Sequence, residues 1–333
     1  MSATKLDVIG IGNAIVDVLW KTDDAFLAAH GIAKGTMTLI DAARAEALYA
    51  AMGQTVEVSG GSAANTIAGV ASLGGKAGFI GRVKNDGLGA VFAHDIRTLG
   101  VTYDTPMATH GAPTARCLIL VTPDAQRSMN TFLGASQDLH ETDIDPAFIG
   151  SAKFVYLEGY LWDPPAAKRA FRKAIEAAKA ANTKVAFTLS DPFCVDRYRA
   201  EFQALIQEGA IDVLFANEHE IISLYQTKTF DEALQAVRGR IPVVALTRSE
   251  KGSVILGGSE VHVIDAEPVA EVVDTTGAGD LYAAGFLRAR AQGKDLTTSG
   301  KLAGICAAEA ISHLGPRPMI SLKALAAQKG LTI

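Results

Sequence analysis

A seven-residue loop near the end of the chain carries the clearest chemical signal, because residues 274–280 read Asp-Thr-Thr-Gly-Ala-Gly-Asp. Gly277 and Gly279 allow backbone N–H groups to converge on one spot, and a helix predicted to begin near Ala278 adds its partial positive charge there. Such a cup of amide groups stabilises anionic oxygens, as phosphoryl transfer requires. A carboxylate beside it would repel phosphate, so the task predicted for Asp280 is to accept a proton from an attacking hydroxyl. In the alternative interpretation, Asp280 only favours a helix N-terminus and the glycines only make a tight turn.

Three other segments place polar groups beside predicted strands or helix starts. Residues 60–65, Gly-Gly-Ser-Ala-Ala-Asn, open a predicted helix, and the asparagine offers both a donor and an acceptor to a diol. Residues 12–17 follow the first predicted strand and end in Asp17, whose carboxylate can accept two hydroxyl hydrogen bonds. Residues 217–220, Asn-Glu-His-Glu, offer hard oxygen ligands that suit Mg²⁺, although two acids at a helix start more often form a solvated surface.

The strings at 60–65 and 274–280 resemble the G-G-x-x-x-N and D-T-x-G-A-G-D motifs of the ribokinase and adenosine kinase superfamily, also called phosphofructokinase-B-type carbohydrate kinases. The resemblance covers essentially the full chain and implies an ATP-dependent kinase in which Asp280 is the catalytic base. The anion hole would be formed by the amides of Gly277, Ala278 and Gly279.

The same resemblance assigns the remaining site residues. To the substrate it assigns Asn13, Asp17, Gly61, Ser62, Asn65, Glu158 and Tyr160. To ATP it assigns Asn217, Thr247, Gly252, Gly277 and Gly279. Glu220 would organise Mg²⁺ and the ATP phosphates, often through water. Residues 247–252 read Thr-Arg-Ser-Glu-Lys-Gly where the family usually has T-x-G-x-x-G, so Ser249 replaces the first glycine of that turn.

Within the family, three features favour a nucleoside over a free sugar. The spacing from Asn13 to Asp17 and the Leu-Ser-Asp-Pro-Phe stretch at 189–193 resemble adenosine kinases. Tyr160 falls where adenosine kinases place an aromatic ring near the purine, although a core or rim tyrosine is an equal alternative. Glu158 resembles a sugar-contacting acid of ribokinases and favours the opposite. The sequence therefore predicts an adenosine kinase, with ribokinase- or fructokinase-like kinases and inosine or guanosine kinases as alternatives.

Arg127 resembles an adenosine kinase arginine at the edge of a lid. An arginine delivered by a closing lid would neutralise the transferring charge, whereas an isolated arginine in a hairpin is usually just solvated. In the family the lid is a small β-sheet built from two insertions. Two stretches without long helices, at about 15–40 and 109–135, are predicted to form it.

The elements that must position these residues alternate along the chain. Apolar runs predict buried strands at 6–11, 78–80, 117–121, 154–157, 185–189, 213–216, 243–246 and 254–256. Helical spacing of apolar residues appears at 64–71, 166–181 and 278–289. The alternation predicts βαβ units and a mostly parallel sheet covered on both faces. The resemblance identifies this arrangement as a ribokinase-like three-layer α/β/α fold, with residues 1–333 in a single domain that carries the lid.

Composition excludes several other classes of protein. The chain has 333 residues and a net charge of −5, with no concentrated basic run, so nucleic acid is not the predicted partner. Three scattered cysteines argue against a disulfide framework or a structural zinc site. No segment has the roughly 18 consecutive apolar residues that span a bilayer, so a cytoplasmic protein is expected. The sequence does not decide whether a monovalent cation is required, or whether the protein is a monomer or a lid-mediated homodimer.

Rival nucleotide-binding patterns fail on specific residues. Gly10 and Gly12 follow the first strand, but Ile15 stands where a dinucleotide-binding fingerprint needs its third glycine. No G-x-x-x-x-G-K-[ST] string occurs, which excludes a P-loop enzyme. A non-catalytic nucleotide sensor on the same fold is the rival from another class. Asp280 argues against it, because a sensor needs no base.

Overall fold

The computed structural model describes residues 6–124 and 126–333, and it builds two β-sheets from this part of the chain. In chain order the strands are β1 (Leu6–Ile11), β2 (Ile15–Lys21), β3 (Met37–Leu39), β4 (Val56–Gly60), β5 (Ala77–Ile80), β6 (Ala115–Val121), β7 (Arg127–Phe132), β8 (Ala152–Glu158), β9 (Lys184–Thr188), β10 (Val213–Asn217), β11 (Val243–Thr247), β12 (Ser253–Gly257) and β13 (Glu260–Ile264). The helices are α1 (Asp24–Ala29), α2 (Ala42–Ala51), α3 (Ser62–Ser72), α4 (Gly87–Thr98), α5 (Pro146–Gly150), α6 (Pro165–Ala181), α7 (Pro192–Gln207), α8 (Glu218–Tyr225), α9 (Phe230–Val237), α10 (Ala278–Ala291), α11 (Leu296–Ala310) and α12 (Leu322–Gln328). Short 3₁₀ helices lie at Gly134–Asp138, Glu141–Asp143, Gly159–Trp162 and Ser249–Lys251.

The main sheet has eight strands in the order β13-β12-β11-β10-β9-β8-β1-β5. Strands β5 through β11 in this row are parallel, and β12 and β13 add an antiparallel edge. Successive side chains of a strand point to opposite faces, so Val8 packs in the core beside α3 and α10, whereas Ile9 packs in the core beside α6 and α7. Helices cover both faces, which confirms the predicted three-layer α/β fold.

The second sheet has five strands in the order β3-β7-β6-β2-β4. It contains both stretches that were predicted to form an extra sheet. The first of them is longer than the predicted 15–40, because α2 and β4 (Val56–Gly60) also belong to this unit. Strand β4 has no continuous apolar run, since its sequence Val-Glu-Val-Ser-Gly alternates and its first residue is exposed. Strand β4 then leads directly into α3.

All eight predicted strands overlap strands of the structure, with 117–121 in the second sheet. The antiparallel edge strand β13 was not predicted, because its residues are mostly exposed and its apolar run is interrupted by His262. The three cysteines, Cys117, Cys194 and Cys306, are buried and unpaired, as their scattered positions predict. Across the two described ranges, no helix has the length and apolar character needed to cross a membrane.

A buried ion cluster fastens the amino end of β1. Asp7 is only 6% exposed and accepts hydrogen bonds from Lys153 Nζ at 2.9 Å, Arg288 Nη1 at 2.8 Å and the backbone N–H of Lys76 at 3.0 Å. These donors come from β8, from α10 and from the turn before β5. One carboxylate therefore links β1 to three other elements of the fold.

Asp7→Ala is expected to lower the free energy of unfolding by about 3 kcal/mol, because it leaves the Arg288 guanidinium without its counter-charge in a buried place. Urea denaturation would measure the loss. Asp24→Ala is the matched control, since Asp24 is 70% exposed at its side chain and pairs with Lys34 at 2.7 Å. This surface pair is expected to contribute less than about 1 kcal/mol. Similar losses in the two variants would contradict the structural role of Asp7.

Candidate active site

Polar side chains from four parallel strands meet at the carboxyl edge of the main sheet. Asn13 follows β1, Glu158 ends β8, Asn217 ends β10 and Thr247 ends β11. This edge is where ligands of open α/β sheets bind. Since β8 and β1 are neighbours and β10 and β11 are neighbours, the predicted substrate residues and the predicted ATP residues lie side by side along one edge.

Helices α3 and α10 bring their first turns together above β1. They pack closely because Gly69 of α3 has no side chain: a Cβ there would lie 2.6 Å from Ala284 Cβ and 2.7 Å from Leu281 Cδ1 of α10. The two glycine motifs, far apart in sequence, each open one of these helices. The packing therefore places the motifs next to each other.

Asp280 lies in the first turn of α10 and is held by two side chains of α3. Ser62 Oγ donates to Asp280 Oδ1 at 2.6 Å, and Asn65 Nδ2 donates to Asp280 Oδ2 at 3.1 Å. Burial raises the pKa of Asp280 to about 6, while these two hydrogen bonds and the charge of Arg317 act in the opposite direction. The raised pKa brings this carboxyl group nearer to the range that suits a general base at neutral pH.

The glycine turn before α10 has the features of an anion cup. Gly277 has a φ of 80°, which favours glycine, and a Cβ there would lie 2.6 Å from Pro316 Cβ. A Cβ at Gly279 would meet no atom within 4 Å, so this residue borders open space. The N–H of Ala278 donates to the Thr275 carbonyl at 3.3 Å. The cup therefore depends mainly on the amides of Gly277 and Gly279, which start the helix.

Asp274, the first residue of the motif, organises the loop, a role that the sequence did not reveal. Its Oδ1 accepts hydrogen bonds from the N–H of Thr276 at 3.0 Å and from Thr276 Oγ1 at 2.7 Å, and its Oδ2 accepts one from the N–H of Gly315 at 2.9 Å. Arg127, from β7 of the second sheet, pairs with the same carboxylate and also donates to Thr276 Oγ1 at 3.1 Å. Arg127 thus reaches the motif from the second sheet, and its Nη2 and Nε are buried without a partner among the described residues.

Asp17 lies within β2 of the second sheet, not at the edge of β1 where the sequence pattern suggested. It is 8% exposed, and no donor among the described residues bonds to its carboxylate. The carboxylate lies against Gly60, where a Cβ would come within 2.4 Å of Oδ2. Burial raises the pKa of Asp17 to about 6, opposed by the charges of Arg317 and Arg127. An unpaired buried carboxylate in this place can accept hydroxyl hydrogen bonds from a ligand.

Glu158 and Asn13, both predicted to contact substrate, lie beneath the cleft. Glu158 has no exposed surface, and it accepts hydrogen bonds at 2.7 Å from the N–H and Nδ2 of Asn13 and from the N–H of Ala63. Asn13 Oδ1 accepts a hydrogen bond from Ser136 Oγ at 2.8 Å. The polar side-chain atoms of Glu158 and Asn13 thus bond to other protein groups, whereas the sequence predicted that they contact the substrate directly. Gly61, with φ 97° and the Asn13 carbonyl 2.2 Å from where its Cβ would be, completes this packing.

Tyr160 lies at the rim of the cleft, directly after β8. It is 39% exposed, and its N–H donates to Ser190 Oγ at 3.1 Å. Burial of part of the ring, together with the charges of Asp191 and Asp280, raises the pKa of Tyr160 well above its usual value. The exposed fraction excludes a core tyrosine and is compatible with either a purine-stacking ring or an ordinary rim tyrosine.

Asn217 and Glu220 form a capping box at the start of α8. The N–H of Asn217 donates to Glu220 Oε2 at 2.9 Å, its Nδ2 donates to Oε1 at 2.5 Å, and the N–H of Glu220 donates to Asn217 Oδ1 at 2.9 Å. Burial raises the pKa of Glu220 to about 7. In the described ranges, no three Asp, Glu, His or Cys side chains are grouped to hold a metal directly. A lone carboxylate fits Mg²⁺ that keeps most of its water and takes its other ligands from ATP.

The turn after β11 keeps the backbone shape of the glycine-rich pattern despite its serine. Ser249 has a φ of 51°, in the left-handed region that favours glycine. Gly252 has a φ of 77°, and a Cβ there would lie 2.0 Å from the Ile264 carbonyl oxygen. Thr247 ends β11 beside Asn217 in register. The substitution at position 249 therefore leaves the turn in place.

Arg317 is a site residue that the sequence did not point to. It follows Gly315-Pro316 in the loop between α11 and α12 and contacts Asn65 and Ser59. No local pattern marks it, because its partners come from distant segments. The only sequence feature that could have indicated Arg317 is its place directly after Gly315-Pro316.

The pH dependence of stability follows from the buried carboxylates. Burial raises their pKa values, to about 6 for Asp17 and Asp280 and to about 7 for Glu158 and Glu220. Between about pH 5 and pH 7 the folded chain then binds more protons than the unfolded chain, so stability falls as pH rises through this window. We expect the ligand-free protein to melt a few degrees higher at pH 5.5 than at pH 7.5, by calorimetry. A higher melting temperature at pH 7.5 would contradict these pKa directions.

Comparison with known proteins covers nearly the whole chain. A family model described as pfkB family carbohydrate kinase matches residues 26–322, a range that contains both glycine motifs. A solved structure of a probable sugar kinase from Rhizobium etli is 50% identical with a TM-score of 0.91, covering 98% of this chain and 99% of that one. The adenosine kinase structure from Sinorhizobium meliloti is also 50% identical, with a TM-score of 0.90 and the same coverage of 98% and 99%.

A more distant relative shows the same extent of similarity. The adenosine kinase of Saccharomyces cerevisiae is 25% identical over 331 residues, which are 93% of this chain and 96% of that protein. The similarity therefore includes both sheets.

Proposed function

The chain belongs to the pfkB family of carbohydrate kinases and is an ATP-dependent nucleoside or carbohydrate kinase; within that class, we propose that its acceptor is adenosine. The reaction would transfer the γ-phosphoryl group of ATP to the 5′-hydroxyl and give AMP and ADP, a step of purine salvage. The observation that carries the proposal is the Asp280 carboxylate, held by Ser62 and Asn65 beside the glycine turn 277–279.

The chemical step would use groups that the fold has already placed. Asp280 would take the proton of the 5′-hydroxyl as its oxygen attacks the terminal phosphorus, and the bond from that phosphorus to the ADP oxygen would break. The amides of Gly277 and Gly279 would stabilise the charge on the transferring phosphoryl group. Arg127 would add positive charge from the second sheet, acting as the lid arginine.

The ribose would lie between the two sheets. Asp17 on the second sheet offers an unpaired carboxylate, and Asn65 on α3 retains one amide hydrogen and one lone pair beyond its two hydrogen bonds. Gly61 would allow close approach of the sugar. Glu158 and Asn13 would hold the α3 N-terminus from below, instead of contacting the sugar themselves.

Magnesium bound with ATP would neutralise the charge of the phosphates. Glu220 would hold it through water, beside Asn217 at the carboxyl edge of β10. Thr247, which the register pairs with Asn217, and Gly252, in the turn after the same strand, would border the nucleotide.

Support for adenosine over a sugar comes from the rim of the cleft and from relatives. Tyr160 presents a partly exposed ring that can stack on a purine. Glu158, the residue that favoured a free sugar, is fully buried and satisfied by protein donors. The similar proteins include adenosine kinases, one of them 50% identical, although a probable sugar kinase is equally similar.

A coupled assay of ADP release would test the acceptor, with adenosine, inosine, guanosine, ribose and fructose compared at equal MgATP. Adenosine is expected to give the highest kcat/KM. A preference for ribose or fructose would overturn the nucleoside assignment, and a preference for inosine or guanosine would overturn the choice of base. Binding of adenosine and ATP without turnover would contradict a phosphotransferase altogether.

A further inference from the structure

Arg317 joins the two halves of the site. Its Nε donates to Asn65 Oδ1 at 3.3 Å, and its Nη1 donates to Ser59 Oγ at 2.6 Å. Asn65 belongs to α3 of the main body, whereas Ser59 belongs to β4 of the second sheet. One guanidinium therefore bridges the part of the fold that carries the base and the part that carries Asp17.

The loop that presents Arg317 is fixed on both sides. Before it, the N–H of Gly315 donates to Asp274 at 2.9 Å, and Pro316 packs against Gly277 of the anion cup. After it, the N–H of Met319 donates to Glu309 Oε1 at 2.8 Å. The position of Arg317 is thus set by the same carboxylate that organises the motif loop.

The contacts of Asn65 with Arg317 and with Asp280 require the same orientation of its amide. An arginine has only donors, so it must meet the oxygen of the asparagine amide and not its nitrogen. With Oδ1 turned toward Arg317, Nδ2 must point the other way, where it donates to Asp280 Oδ2 at 3.1 Å. Without the arginine, Oδ1 loses its donor, and the hydrogen bond to Asp280 alone would orient the amide.

The guanidinium has hydrogen-bond partners but no ion-pair partner among the described residues. Its Nη2 is buried without a hydrogen bond. Burial lowers the pKa of Arg317 to about 10, while the charges of Asp17, Asp95 and Asp280 raise it, so it stays positive at neutral pH. A buried charge without an ion pair costs stability, which favours a role in the site.

We propose that Arg317 is a positioning residue for phosphoryl transfer, which fixes the Asn65 amide with its nitrogen toward Asp280 and ties this pair to the second sheet through Ser59. The inference deepens the proposed kinase function and does not depend on which hydroxyl acceptor is used. It assigns Arg317 no contact with the reacting atoms.

A double-mutant cycle tests the connection through Asn65. Arg317→Met is expected to lower kcat roughly 10-fold, the scale of a misplaced catalytic group. In an Asn65→Ala background the same substitution is expected to cost less than about 3-fold, because neighbours in one network are not additive. Arg317→Lys is expected to rescue kcat only in part, since an ammonium lacks the fork that reaches both Asn65 and Ser59. Additive losses would overturn the proposal.

A second readout separates positioning from a general loss of structure. The charge of Arg317 opposes the burial that raises the pKa of Asp280, and the acid limb of kcat/KM is expected to move up by about one pH unit in Arg317→Met. The other titratable groups that face Asp280 are Asp17, Tyr156, Glu158 and Tyr160. Asp17 also loses the opposing charge of Arg317 in this variant, so the shift of the pH profile is assigned to Asp280 by a direct titration of its carboxyl group.

Carbon-13 NMR titration of the Asp280 carboxyl, assigned with Asp280→Asn, gives the same test without turnover. It keeps the role of Arg317 testable even if none of the acceptors is phosphorylated, which would instead refute the proposed function. The matched control is Arg288→Gln, which removes a buried guanidinium bound to Asp7 at 2.8 Å. It is expected to lower stability and leave both the pH profile and the Asp280 titration unchanged. An unchanged Asp280 titration in Arg317→Met, or an equal shift in Arg288→Gln, would overturn the proposal.

Discussion

Replacing Asp280 with asparagine is expected to lower kcat roughly 100-fold or more while adenosine binds with a Kd close to that of the unmodified protein. Asparagine has almost the same shape, so it can still accept the hydrogen bond from Ser62, but it cannot take the proton of an attacking hydroxyl. Single-turnover rates with MgATP would measure the chemical step, and calorimetry would measure the Kd for adenosine. Equal losses of binding and turnover would mean that Asp280 grips substrate and is not the base.

Asp280→Ala is needed as a second variant, because Asp280→Asn can introduce an unfavourable contact of its own. In Asp280→Asn the new amide can present its N–H₂ to Nδ2 of Asn65, which Arg317 holds in place. Two donors would then face each other. Asp280→Ala removes that conflict, so a loss of kcat at least as large in this variant would assign the effect to the missing carboxylate.

Gly279→Ala is expected to lower kcat/KM on the order of 100-fold without lowering stability. A methyl group at this position meets no protein atom within 4 Å and would enter the open space beside the cup, where the terminal phosphate of ATP is proposed to lie. Displacing a reacting group by about 1 Å can cost two orders of magnitude in rate. Alanine is also a better helix former than glycine, by about 1 kcal/mol in a helix interior, so the melting temperature is not expected to fall.

Gly87→Ala provides the matched control for that substitution. Gly87 also lies in the first turn of a helix, α4, and a Cβ there likewise meets no atom within 4 Å. It is expected to leave both stability and kcat/KM essentially unchanged. Full activity in Gly279→Ala would place the phosphate elsewhere.

Much of this structure could be predicted from the sequence because its strongest signals come from residues close together in the chain. The 274–280 string needs only a turn and the start of a helix, and both are present. The buried strands were recognisable because parallel strands covered on both faces are continuous apolar runs. Strands β4 and β13 escaped recognition because exposed edge strands alternate and mix polar residues with apolar ones.

The arrangement of the site depended on contacts between distant segments, which sequence patterns do not contain. Glu158 was predicted as a substrate contact because it resembles a sugar-contacting acid of ribokinases, yet its carboxylate accepts hydrogen bonds from the backbone N–H groups of Asn13 and Ala63. Arg317 had no motif at all, since its position is fixed by Asp274 and Glu309 through the backbone of its loop. In both cases tertiary hydrogen bonding decided where a charged side chain lies.

The passage from β4 into α3 connects the second sheet to the candidate base. Strand β4 ends at Gly60, and α3 starts at Ser62, so the second sheet is attached to the main body one residue before a partner of Asp280. The hydrogen bond from Ser62 Oγ to Asp280 Oδ1, at 2.6 Å, therefore lies at the junction of the two sheets. A change in how the second sheet lies against the body would reach the carboxylate through a single residue of backbone, Gly61.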